Sequence, residues 1–289
     1  MICNNDSLTL RGCCRDVYAP LRAISPRTLK LYLFTIDAFG AFIGHEPTTA
    51  DLEELVVAQF LAHRTRTRAA ATAAKDRACL HALWEFLARR KAVSTWPTIP
   101  TVNVPERVPE AWLTEEFARL LAAARAEKTT IAGVPGGLWW RALLLLAYDT
   151  GERIAALTAV RWADVRPGFV LFRAETRKGR RRDIVREVGE ETQAALEAIR
   201  GDRDLVFPWP YCHTYLWTRL SIILRRANLP AGRRDKFHRI RRTTASYYEA
   251  AGHSAQRLLD HASPATTRRY LDPRVVQTVA APSVIPKVS

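Results

Sequence analysis

The segment from 261 to 273, "HASPATTRRYLDP", holds side chains that suit chemistry on a phosphate. It begins at His261, and its tyrosine is Tyr270. Ser263 followed by Pro264 predicts the start of a new helix, because serine is a preferred N-cap and proline fits the first helical position. On one continuous helix, an offset of nine residues would put His261 and Tyr270 on opposite faces. The predicted break allows the two side chains to converge.

Two earlier segments place arginines where they suit the same chemistry. In "FHRIRRTTASYY", His238 and Arg241 are three residues apart on a predicted helix and therefore share a face. In "YDTGERIAAL", Gly151 ends one predicted helix and Arg153 opens the next, where free backbone N–H groups also attract an anion. At a phosphate, histidine can exchange a proton and arginine can neutralise charge. Each motif alone is a weak signal, and a solvated surface charge is the simpler interpretation of it.

A third basic segment, "TRKGRRRD", lies in the turn of a predicted β-hairpin. Lys178 precedes Gly179 in the turn, and three arginines follow at 180–182. A basic hairpin tip can enter a DNA groove or reach a backbone phosphate. An exposed, solvated run of charges is an equally good interpretation at this point.

The whole chain is strongly basic. Its 44 Lys and Arg residues against 29 Asp and Glu give a net charge of +15, and its isoelectric point is about 10.2. Most of the basic residues are arginines, whose guanidinium groups bind phosphates through paired hydrogen bonds. The surplus predicts a polyanionic partner, most simply nucleic acid, and the alternative is a charge that serves only solubility. The residues we expect to contact DNA are Arg77, Arg177, Arg180, Arg181, Arg182 and Arg242.

Composition also argues against several other classes of protein. No segment has the roughly 18 consecutive apolar residues of a membrane helix, and the N-terminus lacks the pattern of a secretory signal. The five cysteines form no CxxC pair, so we expect free thiols, which suit a reducing, cytoplasmic location. We expect no magnesium site of the two-metal nuclease type, and therefore no metal and no cofactor.

Helical periodicity and proline content divide the chain into two folded parts. Helical spacing begins at Ser25, and four prolines between Pro97 and Pro109 predict an extended linker. The fold we expect is mainly α, with a helical N-terminal domain and a mixed, mostly helical C-terminal domain that holds a small β-hairpin or sheet. The expected divisions are an extension at 1–24, a helical domain at 25–96, a linker at 97–110, a larger domain at 111–273 and a tail at 274–289.

Taken together, the order and spacing of these motifs resemble the tyrosine recombinase family, also called phage integrases, from about residue 25 to about residue 273. "TGERIAAL" resembles the family's T-G-x-R-x-x-E-L motif, "KGRRRDIV" its hairpin lysine, "HRIRRT" its H-x-L-R-H-T box and "LDH" its L-G-H motif. The resemblance implies a helical core-binding domain and a catalytic domain that clamp DNA. The catalytic positions it implies are Arg153, Lys178, His238, Arg241, His261 and Tyr270.

The chain departs from the family's motifs at three positions. Arg242 stands where the box has its second histidine, Asp260 replaces the glycine of L-G-H, and Ala156 replaces an acidic residue. None of these changes removes a catalytic side chain. Asp260 adds a carboxylate near the site, which either tunes His261 or caps a helix.

Rival assignments exist for the histidine and for the nucleophile. "AAGHS" places His253 in a second motif like L-G-H, but its distance to Tyr270 is too long by two helical turns. Tyr247 and Tyr248 follow the box on the same predicted helix, and we expect them to be core residues instead.

The resemblance implies a site-specific DNA recombinase that cleaves and rejoins strands through a covalent 3′-phosphotyrosyl intermediate, without metal or ATP. Arg153 and Arg241 would stabilise charge on the phosphate, and His238 is the candidate base for the tyrosine. By resemblance, Lys178 donates a proton to the 5′-hydroxyl leaving group and His261 helps to hold the phosphate.

The implied partners are double-stranded DNA with inverted-repeat core sites and further copies of the chain, as a tetramer on DNA, with nucleoid association when bound. The tail at 274–289 would dock on a neighbouring subunit. Two alternatives stay open, a non-catalytic DNA-binding protein on the same scaffold and an enzyme that relaxes DNA like a type IB topoisomerase. The sequence does not distinguish an integrase from a Xer-type resolvase, an integron recombinase or a transposon recombinase.

Overall fold

The computed structural model describes residues 8–177, 179 and 182–276. The chain divides into two compact units, Met1–Arg107 and Val108–Ser289. Three predicted residues of the hairpin tip, Lys178, Arg180 and Arg181, lie outside the described residues, as does the predicted tail from 277 onwards. Both units are mainly helical, and strands occur only in the second unit among the described residues. The predicted fold class is confirmed.

Helices surround one apolar core in the N-terminal unit. The helices are α1 (Leu10–Gly12), α2 (Ala19–Leu21), α3 (Pro26–Ile43), α4 (Glu54–Thr67) and α5 (Ala70–Arg89), and a π-helical stretch, Cys13–Tyr18, joins the first two. Ser25 caps α3 by accepting a hydrogen bond from the Thr28 N–H, and Gly44 ends the helix with a φ of 87°. Side chains with no solvent exposure in this core include Leu10, Cys14, Phe39, Val57, Phe60 and Trp84.

The N-terminal unit begins earlier than the predicted boundary at residue 25. Residues 10–21, which we expected to be an extension, are helical, and they bury Leu10 and Tyr18 in the core of the unit. The Tyr18 ring packs edge-on against Phe86, with 5.0 Å between the ring centroids. The π-helical stretch interrupts the 3.6-residue period, so hydrophobic periodicity does not reveal this segment.

The C-terminal unit carries the other helices and all the described strands. The helices are α6 (Thr114–Arg125), α7 (Gly136–Thr150), α8 (Ile154–Leu157), α9 (Glu190–Glu197), α10 (His213–Arg226), α11 (Phe237–Ala250), α12 (Ala255–Leu259) and α13 (Pro264–Arg268). The strands are β1 (Thr130–Ile131), β2 (Val134–Pro135), β3 (Val165–Arg166), β4 (Phe169–Phe172) and β5 (Ile184–Glu187).

The strands form two small antiparallel sheets. One pairs β1 with β2, and the other has the order β3-β4-β5. Within the second sheet, Phe169 pairs with Glu187 and Phe172 pairs with Ile184. The predicted hairpin is therefore present, and the basic turn connects β4 to β5.

Helix α7 lies at the centre of the C-terminal unit. It packs against α6, α9 and α11, and this burial on several sides explains why its sequence is apolar almost all round. Its fully buried side chains include Trp139, Trp140, Leu143, Leu144 and Leu146. Helix α11 is fixed to it by the Thr244 hydroxyl, which donates to the carbonyl of Tyr148 over 2.6 Å. In the ranges that the structure describes, no helix is long and apolar enough to span a membrane.

Candidate active site

The break between α7 and α8 positions the first predicted arginine. Gly151 ends α7 in the left-handed region, with a φ of 60°, which glycine adopts without steric cost. Arg153 then takes the N-cap position of α8 in an extended conformation. Its positive charge lowers the pKa values of His238 and His261, so it acts on the same site as these residues.

Arg241 is buried beneath the site on α11. It is 2% exposed, and its two terminal nitrogens donate to the carbonyls of Gly151 and Leu259. Burial lowers its pKa to about 10 and Arg153 adds to the effect, while Glu152 opposes it. The guanidinium therefore stays charged at neutral pH. Its Nε is buried without a hydrogen-bond partner among the described residues.

His238 lies one turn before Arg241 and faces the predicted nucleophile. Its ring centroid is 4.9 Å from that of Tyr270, and solvent still reaches the residue. Lost hydration lowers the pKa of His238 to about 4, and the charges of Arg242, Arg241 and Arg153 lower it further in the same direction. At neutral pH the imidazole is uncharged and is able to accept a proton.

His261 approaches the same tyrosine from the turn after α12. Its ring centroid is 4.8 Å from that of Tyr270. Lost hydration lowers its pKa to about 4, together with Arg241 and Arg153. Its Nδ1 is 3.1 Å from the hydroxyl of Thr267, and its buried Nε2 has no partner among the described residues. When Thr267 donates to Nδ1, the ring proton of the neutral imidazole is on Nε2.

Tyr270 lies in the turn two residues after the end of α13 instead of within the helix. Its N–H donates to the carbonyl of Thr267 over 2.8 Å. Ser246 fixes the backbone on both sides of Leu271. Its hydroxyl donates to the carbonyl of Tyr270 over 3.2 Å and accepts from the N–H of Asp272 over 2.9 Å. The Cζ of Arg241 is 5.8 Å from the centroid of the Tyr270 ring. The nucleophile candidate thus stands between two neutral imidazoles and beside a fixed cation.

The segment after Tyr270 is anchored by a carboxylate that sequence reasoning missed. Asp272 has no solvent exposure. It accepts from the N–H of Ala111 over 2.6 Å and from the guanidinium of Arg274. Burial raises the pKa of Asp272, but these hydrogen bonds outweigh that effect and the pKa is lowered. The "LDP" sequence gives no signal for a contact with a residue 161 positions away.

A network of charged side chains lies next to the site. The sequence indicated Asp260 as a carboxylate near the site, but it indicated neither Glu152 nor the arginines that bind the two carboxylates. Glu152 is 2% exposed, and it accepts from Arg177 over 3.1 Å and from Arg186 over 3.3 Å. Asp260 accepts from Arg177 over 3.3 Å and from Arg182 over 3.0 Å. The partners are far apart in the chain, so no local pattern reveals them.

Several arginines predicted to contact DNA have protein partners. Arg177 is buried in the network above, and Arg242 is 8% exposed and donates to the carbonyl of Arg234. In the N-terminal unit, Arg77 donates to the carbonyl of Pro100 over 2.7 Å. Of this set, Arg182 is the described member with a mostly exposed side chain, at 68%.

The rival candidates for the histidine and for the nucleophile contact residues outside the predicted site. The ring of His253 lies 4.9 Å from that of Tyr248, and Tyr248 is 40% exposed, so it is not the core residue we expected. The hydroxyl of Tyr247 lies 3.2 Å from that of Thr114. His261, in contrast, packs against the ring of Tyr270.

Comparison with known proteins identifies the family of the chain. The phage integrase family matches residues 112–275, which include all six predicted catalytic positions. The phage integrase N-terminal SAM-like domain matches residues 19–91. The chain belongs to the phage integrase family. This is the tyrosine recombinase family that the motifs predicted, so the predicted family and the enzyme class of tyrosine-type site-specific recombinase are confirmed.

Two tyrosine recombinases are similar to this chain over most of its length. A tyrosine recombinase XerC of Pelobacter propionicus is 24% identical over 271 residues, which span 86% of this chain and 85% of that protein. A tyrosine recombinase XerC of Xanthomonas axonopodis pv. citri is 27% identical over 277 residues, which span 86% of this chain and 87% of that protein.

Solved structures show that the fold is shared. A lambda integrase dimer bound to a COC′ core site has a TM-score of 0.71 at 19% identity, covering 93% of this chain and 79% of that one. A XerH site-specific recombinase bound to palindromic difH substrate in a post-cleavage complex has a TM-score of 0.67 at 19% identity. This match covers 90% of this chain and 80% of that one. At this level of identity, the likeness concerns the fold alone.

Proposed function

We propose that this family member cleaves one DNA strand with Tyr270 and rejoins it to another, through a covalent 3′-phosphotyrosyl intermediate. The observation that carries the proposal is the packing of Tyr270 between His238 and His261. Both imidazoles are neutral at pH 7, and the buried cation of Arg241 lies beside them.

In the proposed step, the phenolic oxygen of Tyr270 attacks the phosphorus and the bond to the 5′ oxygen breaks. The phenolic proton passes to His238, and Lys178 supplies a proton to the departing 5′ oxygen. Arg153 and Arg241 stabilise the charge that builds on the non-bridging oxygens. The phosphodiester energy is kept in the new linkage, so a second 5′-hydroxyl can reverse the step without ATP.

Double-stranded DNA is the proposed substrate, with inverted-repeat core sites and a tetramer of this chain acting together. Support comes from the net charge of +15 and from the relatives, since one solved structure is a lambda integrase tetramer bound to a Holliday junction. A cytoplasmic location, with nucleoid association on DNA, belongs to the same proposal. The proposal also includes docking of the tail at 274–289 on a neighbouring subunit.

The test is the capture of covalent protein–DNA adducts. Wild-type protein is incubated with fragmented DNA of the source genome, attached DNA is recovered and sequenced, and a nicked duplex of that sequence is used as a suicide substrate. We expect Tyr270→Phe to bind this duplex with unchanged affinity and to form no adduct. Tyr248→Phe, which alters an exposed tyrosine on α11, should form the adduct at the wild-type rate.

Adduct formation by Tyr270→Phe would contradict the assignment of the nucleophile. Absence of any adduct with the wild type would instead favour a non-catalytic DNA-binding protein. An enzyme like a type IB topoisomerase would relax supercoiled plasmid without exchanging strands between two sites, so relaxation and two-site exchange are measured on the same plasmid.

A further inference from the structure

Thr267 contacts both His261 and the residue that carries the candidate nucleophile. It lies on α13 and is 5% exposed. Its hydroxyl is 3.1 Å from Nδ1 of His261, and its carbonyl accepts from the N–H of Tyr270 over 2.8 Å. One buried residue therefore holds the side chain of the histidine and the main chain of the tyrosine.

The main chain of His261 is held separately, by Gln256. The N–H of His261 donates to the carbonyl of Gln256 over 3.1 Å, and its carbonyl accepts from the Gln256 side-chain amide over 3.1 Å. With the main chain fixed on both sides, the imidazole still has its side-chain rotations. The hydrogen bond with Thr267 restricts them, and the ring packs against that of Tyr270 with 4.8 Å between centroids.

The direction of the hydrogen bond between Thr267 and His261 follows from burial. A buried hydroxyl proton needs an acceptor, because it has lost its hydrogen bond to water. Within the described residues, Nδ1 of His261 is the partner of this hydroxyl. The hydroxyl therefore donates, and the lone pair of Nδ1 accepts. In a neutral imidazole, the ring proton then lies on Nε2.

A histidine in this state has no nitrogen left to accept a proton. The pKa of His261, lowered to about 4 chiefly by lost hydration, keeps the ring neutral at pH 7. His238 lies as close to the nucleophile, with 4.9 Å between its ring centroid and that of Tyr270. Residue type alone would allow either imidazole to act as the base, and the contact with Thr267 distinguishes the two.

We propose that Thr267 is a positioning residue that sets the tautomer of His261 and prevents this histidine from acting as the base. The phenolic proton of Tyr270 then passes to His238 as the tyrosine oxygen–phosphorus bond forms and the bond to the 5′ oxygen breaks. His261 keeps its Nε2 proton and stays uncharged. This inference rests on the proposed function and assigns different tasks to its two histidines.

The first measurement reads the tautomer by NMR and needs no DNA. Full-length protein with ¹⁵N-labelled histidine is studied at neutral pH, and His261→Gln identifies the signals of His261. We expect the wild type to carry the ring proton on Nε2, with Nδ1 as a hydrogen-bonded acceptor. Thr267→Val keeps the shape and removes the hydroxyl, so it should shift the Nδ1 resonance. Thr267→Ser keeps the hydroxyl and should resemble the wild type.

The second measurement is the single-turnover rate of adduct formation on the nicked duplex. We expect Thr267→Val to lower this rate by roughly tenfold to a hundredfold with little change in affinity, since a misplaced reacting group costs up to roughly 10²-fold. Thr267→Ser should react at close to the wild-type rate. Thr266→Val makes the same substitution at the exposed neighbouring position of α13, and it should leave the rate and the spectrum unchanged.

A ring proton on Nδ1 of His261 in the wild type, or protons on both nitrogens, would overturn the inference. So would a wild-type rate for Thr267→Val, or equal slowing by Thr267→Ser, which would assign the effect to packing instead of the hydroxyl. If Thr267→Val folds poorly, the wild-type spectrum still decides which nitrogen bears the proton. If the wild type forms no adduct, the proposed function fails, and the spectra test the role of Thr267 on their own.

Discussion

The two histidines beside Tyr270 make the stability of the protein depend on pH. The site lowers the pKa values of His238 and His261 to about 4, chiefly because neighbouring side chains displace part of the water around the rings. In the unfolded chain, the pKa of histidine is about 6.5. The unfolded state therefore binds protons first as the pH falls. The stability these residues contribute is complete above about pH 6.5 and is lost as the pH falls towards about 4.

We expect the free energy of unfolding to decrease between about pH 6.5 and pH 5, above the range in which carboxylates titrate. Urea unfolding of the wild type and of His261→Gln over this range checks the expectation. The variant should show a smaller decrease, because one of the two groups is gone. Identical pH dependence in both proteins would mean that His261 keeps an ordinary pKa.

Arg153 is better suited than Arg241 to test whether an arginine stabilises the charge that builds on the phosphate. Truncation of the buried Arg241 removes the donors for the carbonyls of Gly151 and Leu259, so it also destabilises the fold. Arg153 is only half-buried. We expect Arg153→Ala to lower the single-turnover rate of adduct formation by roughly 10²–10³-fold, the usual effect of losing one transition-state donor. The affinity for the duplex should change much less, and an equal loss of rate and affinity would contradict this role.

At the scale of elements, the sequence predicts those features that a single residue type imposes on the backbone. Gly151 ends α7, and the Ser263-Pro264 pair starts α13, as expected from their conformational preferences. The hairpin was predictable from the alternation of apolar and polar residues in its strands. The ties of Asp260 and Asp272 were not, because each joins residues more than 75 positions apart, and the side chains that meet depend on the tertiary fold.

The segment that carries Tyr270 depends on Asp272 for its position. Asp272→Ala leaves the buried N–H of Ala111 without its acceptor, which we expect to reduce the free energy of unfolding by about 1–3 kcal/mol. Asp204→Asn changes an exposed carboxylate in the same unit, and it should stay within about 0.5 kcal/mol of the wild type. Urea unfolding at neutral pH measures both. Equal stability of the two variants would show that the contact of Asp272 with Ala111 contributes little.

At the scale of the whole molecule, the charge surplus sets how binding responds to salt. Ion pairs occupy part of the basic set, as in the buried pairs of Arg177 with Glu152 and of Arg64 with Asp76. The net charge of +15 nevertheless remains for a polyanion. Each phosphate that the protein neutralises releases counterions from duplex DNA, and the logarithm of the affinity falls with the logarithm of the salt concentration by about 0.9 per phosphate.

For six to ten phosphate contacts, we expect the Kd to rise by roughly 10³–10⁵-fold between about 50 and 200 mM salt. The measurement uses full-length Tyr270→Phe, so that covalent capture does not distort the equilibrium, and a duplex carrying the recovered target sequence. An unrelated duplex of equal length serves as the control, and it should show a similar slope because the phosphates are the same. A Kd that hardly changes with salt would remove the argument that the basic surplus exists to bind DNA.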